Sequence, residues 1–377
     1  MDKIKLTMNT LFAGVGMQER GIENSNLFDL EVVNISEIDK DAVLSYAAIH
    51  CGLTMDMVKS YTDYPSRQQM ADDLKNINLG YDTTKNKPYD WDKLARRKSL
   101  DIEKYWLANK LSHNVGDISK IEFLSYADLW SCSFPCTDVS AVGKMKGLSP
   151  DSNTRSSLLW ENIRLLKRAK DDGIPPKYIL FENVKNLVSK KFMPDFNNLL
   201  DILNDFGYNS YWKVINAKNC GVPQNRERVF VICIRKDIDK KTYTFPKPFD
   251  NGLRLKDILE DEVDEKYYIE NVRSEQLIKQ LVENGEIERE SRQQGCDLSV
   301  NNPKITDKSH CIPARYDNGI TTRKSDCTGV LLSNKGNKFE KSVDIASTLL
   351  ARDYKGFGNQ NMTGVIENRN NNKKANK

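Results

Sequence analysis

As far as residue 235, apolar and polar positions along this chain alternate between two rhythms. "KLTMNTLF" is a short apolar run ending in the glycine turn "AGVGMQERG", and "DLEVVNISEID" is a second such run; both predict strands. "KDAVLSYAAIH" follows with its apolar residues at helical spacing. Beyond an interruption, "YADLWSCSFP" and "KYILFENV" predict strands, and "SYWKVINA" and "RVFVICIR" two more. "TRSSLLWENIRLLKRAK" and "FMPDFNNLLDILNDFG" predict the helices between them. Strands separated by helices of this length specify an α/β protein: a doubly wound, mainly parallel sheet with helices on both faces.

Two stretches break the rhythm. Residues 51–115, including "YPSRQQMADDLKNINLGYDTTKNKPYDWDKLARRK", are charged and lysine-rich and read as a solvated, partly helical insertion. From 236, "RKDIDKKTYTFPKPFDNG" reads as a linker into a polar, turn-rich region to 366 with short strand-like pieces, a second and less regular domain. The closing "NRNNNKKANK" sets residues 367–377 apart as a disordered tail.

Composition narrows the class but not the partner. With 377 residues, 39% hydrophobic and 29% charged, the chain fits an ordinary water-soluble protein. "MDKIKLTMNTLF" lacks the apolar stretch of a signal peptide, and no run reaches the roughly 18 apolar residues of a membrane span. A cytoplasmic protein with no membrane partner and reduced cysteines is the expectation. The eight cysteines form no C-x-x-C pair, and His310-Cys311 with Cys327 is an incomplete zinc ligand set, so no metal is expected. The net charge is +4, from 57 basic and 53 acidic residues, and a basic groove can hide inside such a balance.

Candidate chemistry collects where predicted strands end. Gly14 and Gly16 in "FAGVGMQERG" give an incomplete form of the dinucleotide fingerprint, read either as a tight structural turn or as close backbone access for a ligand. Glu37 ends the next strand about twenty positions later, where an acid can grip ribose hydroxyls. Asp117, in "VGDISKI", is either an acceptor for an adenine amino group or a surface turn residue. Without the third glycine a pyrophosphate carrier, and with it a nicotinamide oxidoreductase, is disfavoured, and S-adenosylmethionine is favoured.

Cys136 follows Pro135 at a strand-to-loop junction, before a small-residue loop containing Ser140 and Gly143. Alone it reads as a buried structural thiol or as a nucleophile. "LFENVKNL" ends an apolar run with Glu182 and Asn183, and "QNRERVF" sets Arg226 and Arg228 two apart before a strand, on one face. Separately these are salt-bridge partners and a solvated edge. Together they supply a nucleophile, an acid and anion holders.

In the order "FAGVG", "EID", "GDI", "SFPCTDVSAVG", "TRSSLLWE", "FENV" and "QNRERV", the chain resembles the DNA (cytosine-5) methyltransferase family over about residues 5–235. "ARDYKGFGNQNMTG" is similar to sequence late in the recognition region of bacterial and phage members. The resemblance implies the mixed, Rossmann-like sheet of adenosylmethionine-dependent methyltransferases, with 1–235 as catalytic domain and 236–366 as target-recognition region. It implies that Phe12 packs on S-adenosylmethionine, Gly14 and Gly16 admit it, Glu37 holds its ribose, and Ile38 and Asp117 meet its adenine. Cys136 is then the nucleophile on cytosine carbon 6, Glu182 the group at ring nitrogen 3, and Arg228 the ligand of the ring oxygen. Arg226 supports the cysteine region and Asn183 orders its loop. The implied substrate is a cytosine flipped out of double-stranded DNA, within a restriction-modification or phage protection system.

Family members normally continue with an R-x-L-T-P-x-E-like helix and a late "GNS" segment, and neither follows "GVIE" here. A second polypeptide, a truncated gene or a divergent tail accounts for this. The expectation is a chain that is weakly active or inactive alone and needs a partner polypeptide. The alternatives are a DNA-binding protein without catalysis and an RNA cytosine-5 methyltransferase.

Overall fold

The computed structural model of the chain describes residues 2–82, 87–135, 158–259, 280, 283–285, 294–297, 304–310, 328–332, 338–340 and 365–367. Cys136, Ser140, Gly143, Cys311, Cys327 and the segments 351–364 and 368–377 lie outside the described residues. Contacts divide the chain into one unit of Met1–Val214 with Arg228–Phe245, and another of Ile215–Glu227 with Pro246–Lys377.

The first unit is built on strands β1 (Ile4–Leu11), β2 (Phe28–Ser36), β3 (Leu129–Cys132), β4 (Tyr178–Val184) and β5 (Tyr208–Asn216). After the two-residue β6 (Gln224–Asn225), β7 (Glu227–Arg235) completes the sheet, whose order is β2-β1-β3-β4-β7-β5. β1 pairs in parallel with β2 and β3, and β3 with β4, whereas β7 runs antiparallel to β4. The sheet is therefore mixed, as the family resemblance implied.

Helix α1 (Met17–Asn24) links β1 to β2, and α2 (Lys40–His50) leaves β2 from an Asp39 cap that accepts from the Asp41 and Ala42 N–H groups. Four more helices precede β3: α3 (Met55–Ser60), α4 (Arg67–Asn76), α5 (Trp91–Ala95) and α6 (Asp101–Leu111). α7 (Leu159–Asp171) joins β3 to β4 and α8 (Met193–Asp205) joins β4 to β5. Leu159, Ile163 and Leu166 on α7, and Phe196, Leu199 and Leu203 on α8, recur at helical spacing and are buried in one core with Trp130, Phe181 and Tyr208.

The insertion is not the solvated stretch its composition suggested. Val58, Met70, Leu74, Trp91, Leu94, Ile102 and Leu107 form a second buried cluster together with Val43 and Ala47 of α2. Each such side chain stabilises by about 1.5–3 kcal/mol when fully buried. Thr54, Ser66 and Asp90 cap α3, α4 and α5, while Arg67 donates to the carbonyls of Ala95, Arg97 and Ser99 and pairs with Glu103. The apolar residues were spaced for helices, and most intervening charges lie at the surface, the buried Glu103 being paired with Arg67.

In the second unit, β8 (Gln294–Asp297) and β9 (Lys304–Thr306) precede β10 (Ser309–His310), which pairs with β6. β11 (Thr328–Leu332), β12 (Lys338–Glu340) and β13 (Val365–Glu367) join β8 and β9 in an antiparallel sheet of order β13-β12-β11-β8-β9. No helix among the described residues is long and apolar enough to cross a membrane.

Candidate active site

The chain leaves β1 for β2 on one flank and returns to β3 on the other. Such a reversal opens a crevice beyond the carboxyl ends of the two inner strands, here β1 and β3. Leu11 is level with Ser36 and with Cys132, and Cys132 with Phe181. Phe12–Gly16, Glu37–Asp39 and Ser133–Pro135 leave the sheet past that line, while Glu182–Val184 of β4 continue beyond it, paired only with β7. Because β7 runs the opposite way, its first residues reach the same edge, with Arg228 opposite Val184. One edge thus gathers candidates that are far apart in sequence.

On the β1–β2 side the turn is tightly specified. The Phe12 and Ala13 N–H groups donate to the Ser36 carbonyl at 2.8 and 3.2 Å, and Phe12 takes a positive φ of 62°. Glu37 grips three backbone N–H groups, that of Gly14 on Oε2 and those of Ile38 and Asp39 on Oε1, all at 2.8 Å. Burial pushes its carboxyl above the ordinary range, against the pull of those three donors. Asn114 holds the Glu37 main chain from both sides, accepting from its N–H and donating to its carbonyl at 3.0 Å.

The two glycines have different reasons to be there. A Cβ on Gly14 would meet nothing within 4 Å, which is the open backbone expected beside a ligand. A Cβ on Gly16 would lie 2.3 Å from His50 Nε2 and 2.7 Å from Tyr46 Cε2, so this glycine lets α2 pack against the turn. The half-buried Ile38 receives the Gly80 N–H on its carbonyl at 2.6 Å.

Asp117 does not end a strand. It follows an isolated bridge between Ile35 and Asn114 and caps the short turn Ile118–Lys120. Burial raises its carboxyl, but donation from the Asn78 amide at 2.8 Å and from Ser119 outweighs this and holds it below the ordinary range.

On the β3–β4 side, Arg228 Nε lies 3.0 Å from Glu182 Oε1. Their side chains are 19% and 23% exposed, buried enough to be fixed and open enough to be reached. Asn183 is buried, donates to the Phe134 carbonyl at 3.1 Å and accepts from the Val184 N–H at 2.9 Å. Phe134 is two residues before Cys136, and Gln18 of α1 donates to the neighbouring Ser133 hydroxyl. The residues just before Cys136 are therefore held from β4 through a main-chain carbonyl and from α1 through a side-chain hydroxyl. Burial pushes the Cys132 thiol well above the ordinary range, and Cys233 up to about 12.

Arg226 belongs to the other unit. Its N–H donates to Asn216 Oδ1 at 3.1 Å and its carbonyl accepts from Ala217. Arg226 and Arg228 are half-buried while Glu227 between them is exposed, the alternation expected of extended chain. Asn114, Asn78, Gln18 and His50 were not singled out from the sequence; their partners are remote, and no local pattern marks them.

A sequence profile of C-5 cytosine-specific DNA methylases matches residues 75–338. The type II methyltransferase M2.ScrFI of Lactococcus lactis subsp. cremoris is 43% identical over 266 residues, 69% of each chain. The orphan methyltransferase M.SssI of Spiroplasma monobiae is 34% identical over 266 residues, 68% of this chain and 67% of its own. The orphan methyltransferase M.SPRI of Bacillus phage SPR is 26% identical over 399 residues, 96% of this chain and 75% of its own. The chain belongs to the C-5 cytosine-specific DNA methylase family. By class it is an enzyme, a DNA cytosine methyltransferase.

Proposed function

We propose that this enzyme methylates carbon 5 of a cytosine swung out of duplex DNA, through a covalent bond to Cys136, with S-adenosylmethionine as methyl donor. The carrying observation is the Glu182–Arg228 pair at 3.0 Å on the strand edge. Ring nitrogen 3 and the exocyclic oxygen of cytosine are neighbours on one edge, so a carboxyl and a guanidinium held side by side complement them.

The lining suits S-adenosylmethionine. Gly14 leaves open space, Glu37 stands beside it, and Phe12 is half-buried at the core's margin. The first turn of α1 carries Glu19, fully buried, which makes that helix start a poor seat for a pyrophosphate. Phe12, Gly14, Gly16, Glu37, Ile38 and Asp117 would hold the donor, which when bound supplies an electrophilic methyl group.

Carbon 5 of cytosine is a weak nucleophile. Attack of the Cys136 thiolate on carbon 6 turns the ring into an enamine, with Glu182 giving a proton to nitrogen 3 so that charge does not build there. Arg228 orients the ring through its oxygen. After carbon 5 is methylated, a base removes its proton and the thiol leaves, restoring the aromatic ring and both groups. Asn183 and Gln18 hold Phe134 and Ser133, the residues just before Cys136. The base must leave the helix at a cost of a few kcal/mol.

Residues 1–235 carry this chemistry, 236–366 read the DNA sequence, and the enzyme acts in the cytoplasm, protecting a host or phage genome. The test is transfer of labelled methyl from S-adenosylmethionine to duplex DNA and to RNA, with nucleoside analysis. Label in 5-methyldeoxycytidine is expected, and label confined to RNA reassigns the substrate. Full turnover by the purified chain excludes a required second polypeptide; turnover only on adding one supports it.

A further inference from the structure

His50 closes α2 beneath the glycine turn, with 5% of its side chain exposed. Its Nε2 is 3.2 Å from the Val15 carbonyl oxygen. A carbonyl oxygen only accepts, so Nε2 carries the proton and donates. The other ring nitrogen faces Glu23 of α1 at 3.5 Å. One turn earlier, Tyr46 packs on the imidazole with ring centroids 4.5 Å apart, and its hydroxyl donates to the buried Glu19 at 3.4 Å. Gly16, with a φ of 78°, fills the remaining side of this contact, and any Cβ there would collide with the ring. α2 thus grips the turn from both ends, through Glu37 just before it and His50 at its close.

We propose that His50 is a positioning residue for the cofactor turn: its donation to Val15 and its packing under Gly16 hold Phe12–Gly16 in the shape that takes S-adenosylmethionine. The inference rests on the proposed cofactor but concerns a residue outside the lining. Truncating His50 leaves the Val15 carbonyl without this donor and opens space under Gly16. The turn then visits other shapes, and apparent affinity falls with the competent fraction.

The test combines calorimetric titration of S-adenosylmethionine into the full chain, steady-state kinetics, and amide hydrogen exchange of residues 12–16 without ligand. His50→Ala is expected to weaken cofactor binding and raise the cofactor KM by about tenfold, the worth of roughly one hydrogen bond. Exchange in the turn speeds up, while the DNA KM and kcat at saturating cofactor stay within about twofold. His50→Gln, whose amide still donates, recovers most of the binding, which a purely structural loss would not allow. Unchanged affinity and exchange in His50→Ala overturn the inference, as does a loss that falls equally on kcat and DNA affinity. A wild-type chain that takes no S-adenosylmethionine overturns the cofactor reading and this ligand with it, whereas unchanged exchange in the variant sinks the inference alone.

Discussion

The two ends of the central sheet are built by opposite rules. At the amino end of β3, Asp128 receives the Thr7 N–H and hydroxyl, the Tyr126 hydroxyl at 2.8 Å and the Lys177 ammonium at 2.8 Å. Arg235, on the same side, bonds to Asp237 and to the Pro175 carbonyl. These polar groups saturate one another and knit strands. At the carboxyl end, Glu37 is raised by burial, Phe12 takes a positive φ, and Glu182 and Arg228 pair while keeping a fifth of their surface open. One end is arranged for stability, and the other carries the groups of the proposed site.

Substitutions can break this contrast. Cys136→Ser is expected to reduce methyl transfer to background, because a serine hydroxyl is hardly ionised near neutral pH, and to leave the melting temperature unchanged. Glu182→Gln and Arg228→Ala should each lower kcat by about a hundredfold or more in single-turnover assays, with a stability change below about 1 kcal/mol. Asn183→Ala sits on both sides of the contrast. It leaves the Phe134 carbonyl without that donor inside the protein, so denaturant unfolding should show a loss of about 1–3 kcal/mol together with slower transfer.

Asp128→Asn sharpens the contrast from the other end. It should cost about 1–2 kcal/mol at neutral pH and leave turnover within about twofold. Although burial opposes it, the Lys177, Tyr126 and Thr7 donors hold the Asp128 carboxyl at about 2, below its ordinary 3.8. A depressed carboxyl stabilises the fold fully above about pH 4, and that contribution disappears as pH falls through about 2. Urea titrations of the two proteins should therefore converge in that window; a gap that persists below it contradicts the pairing.

Much of this was legible in the sequence for identifiable reasons. Glu182 and Asn183 stood out because polar residues at the end of an apolar run mark a strand tip, and Glu37 because its distance from the glycine turn matched the span of a strand–helix–strand unit. The helical cluster of residues 51–115 was hidden because Met70, Leu74, Trp91 and Leu94 are embedded among charges, so composition masked a periodicity that was present. Gly16 was read either as a tight turn or as ligand access, and the crowding that demands a glycine there comes from His50, 34 positions on in the chain and invisible to any local pattern. Asn114 likewise serves Glu37 across 77 residues.

The central claim is tested most directly by incubating the chain with S-adenosylmethionine and duplex DNA carrying 5-fluorocytosine at the target, then mapping any cross-linked peptide by mass spectrometry. Fluorine cannot leave as the proton does, so the adduct should accumulate and its nucleotide mass should sit on Cys136. Methylation of ordinary DNA with no trapped adduct, or an adduct on another cysteine, would contradict it.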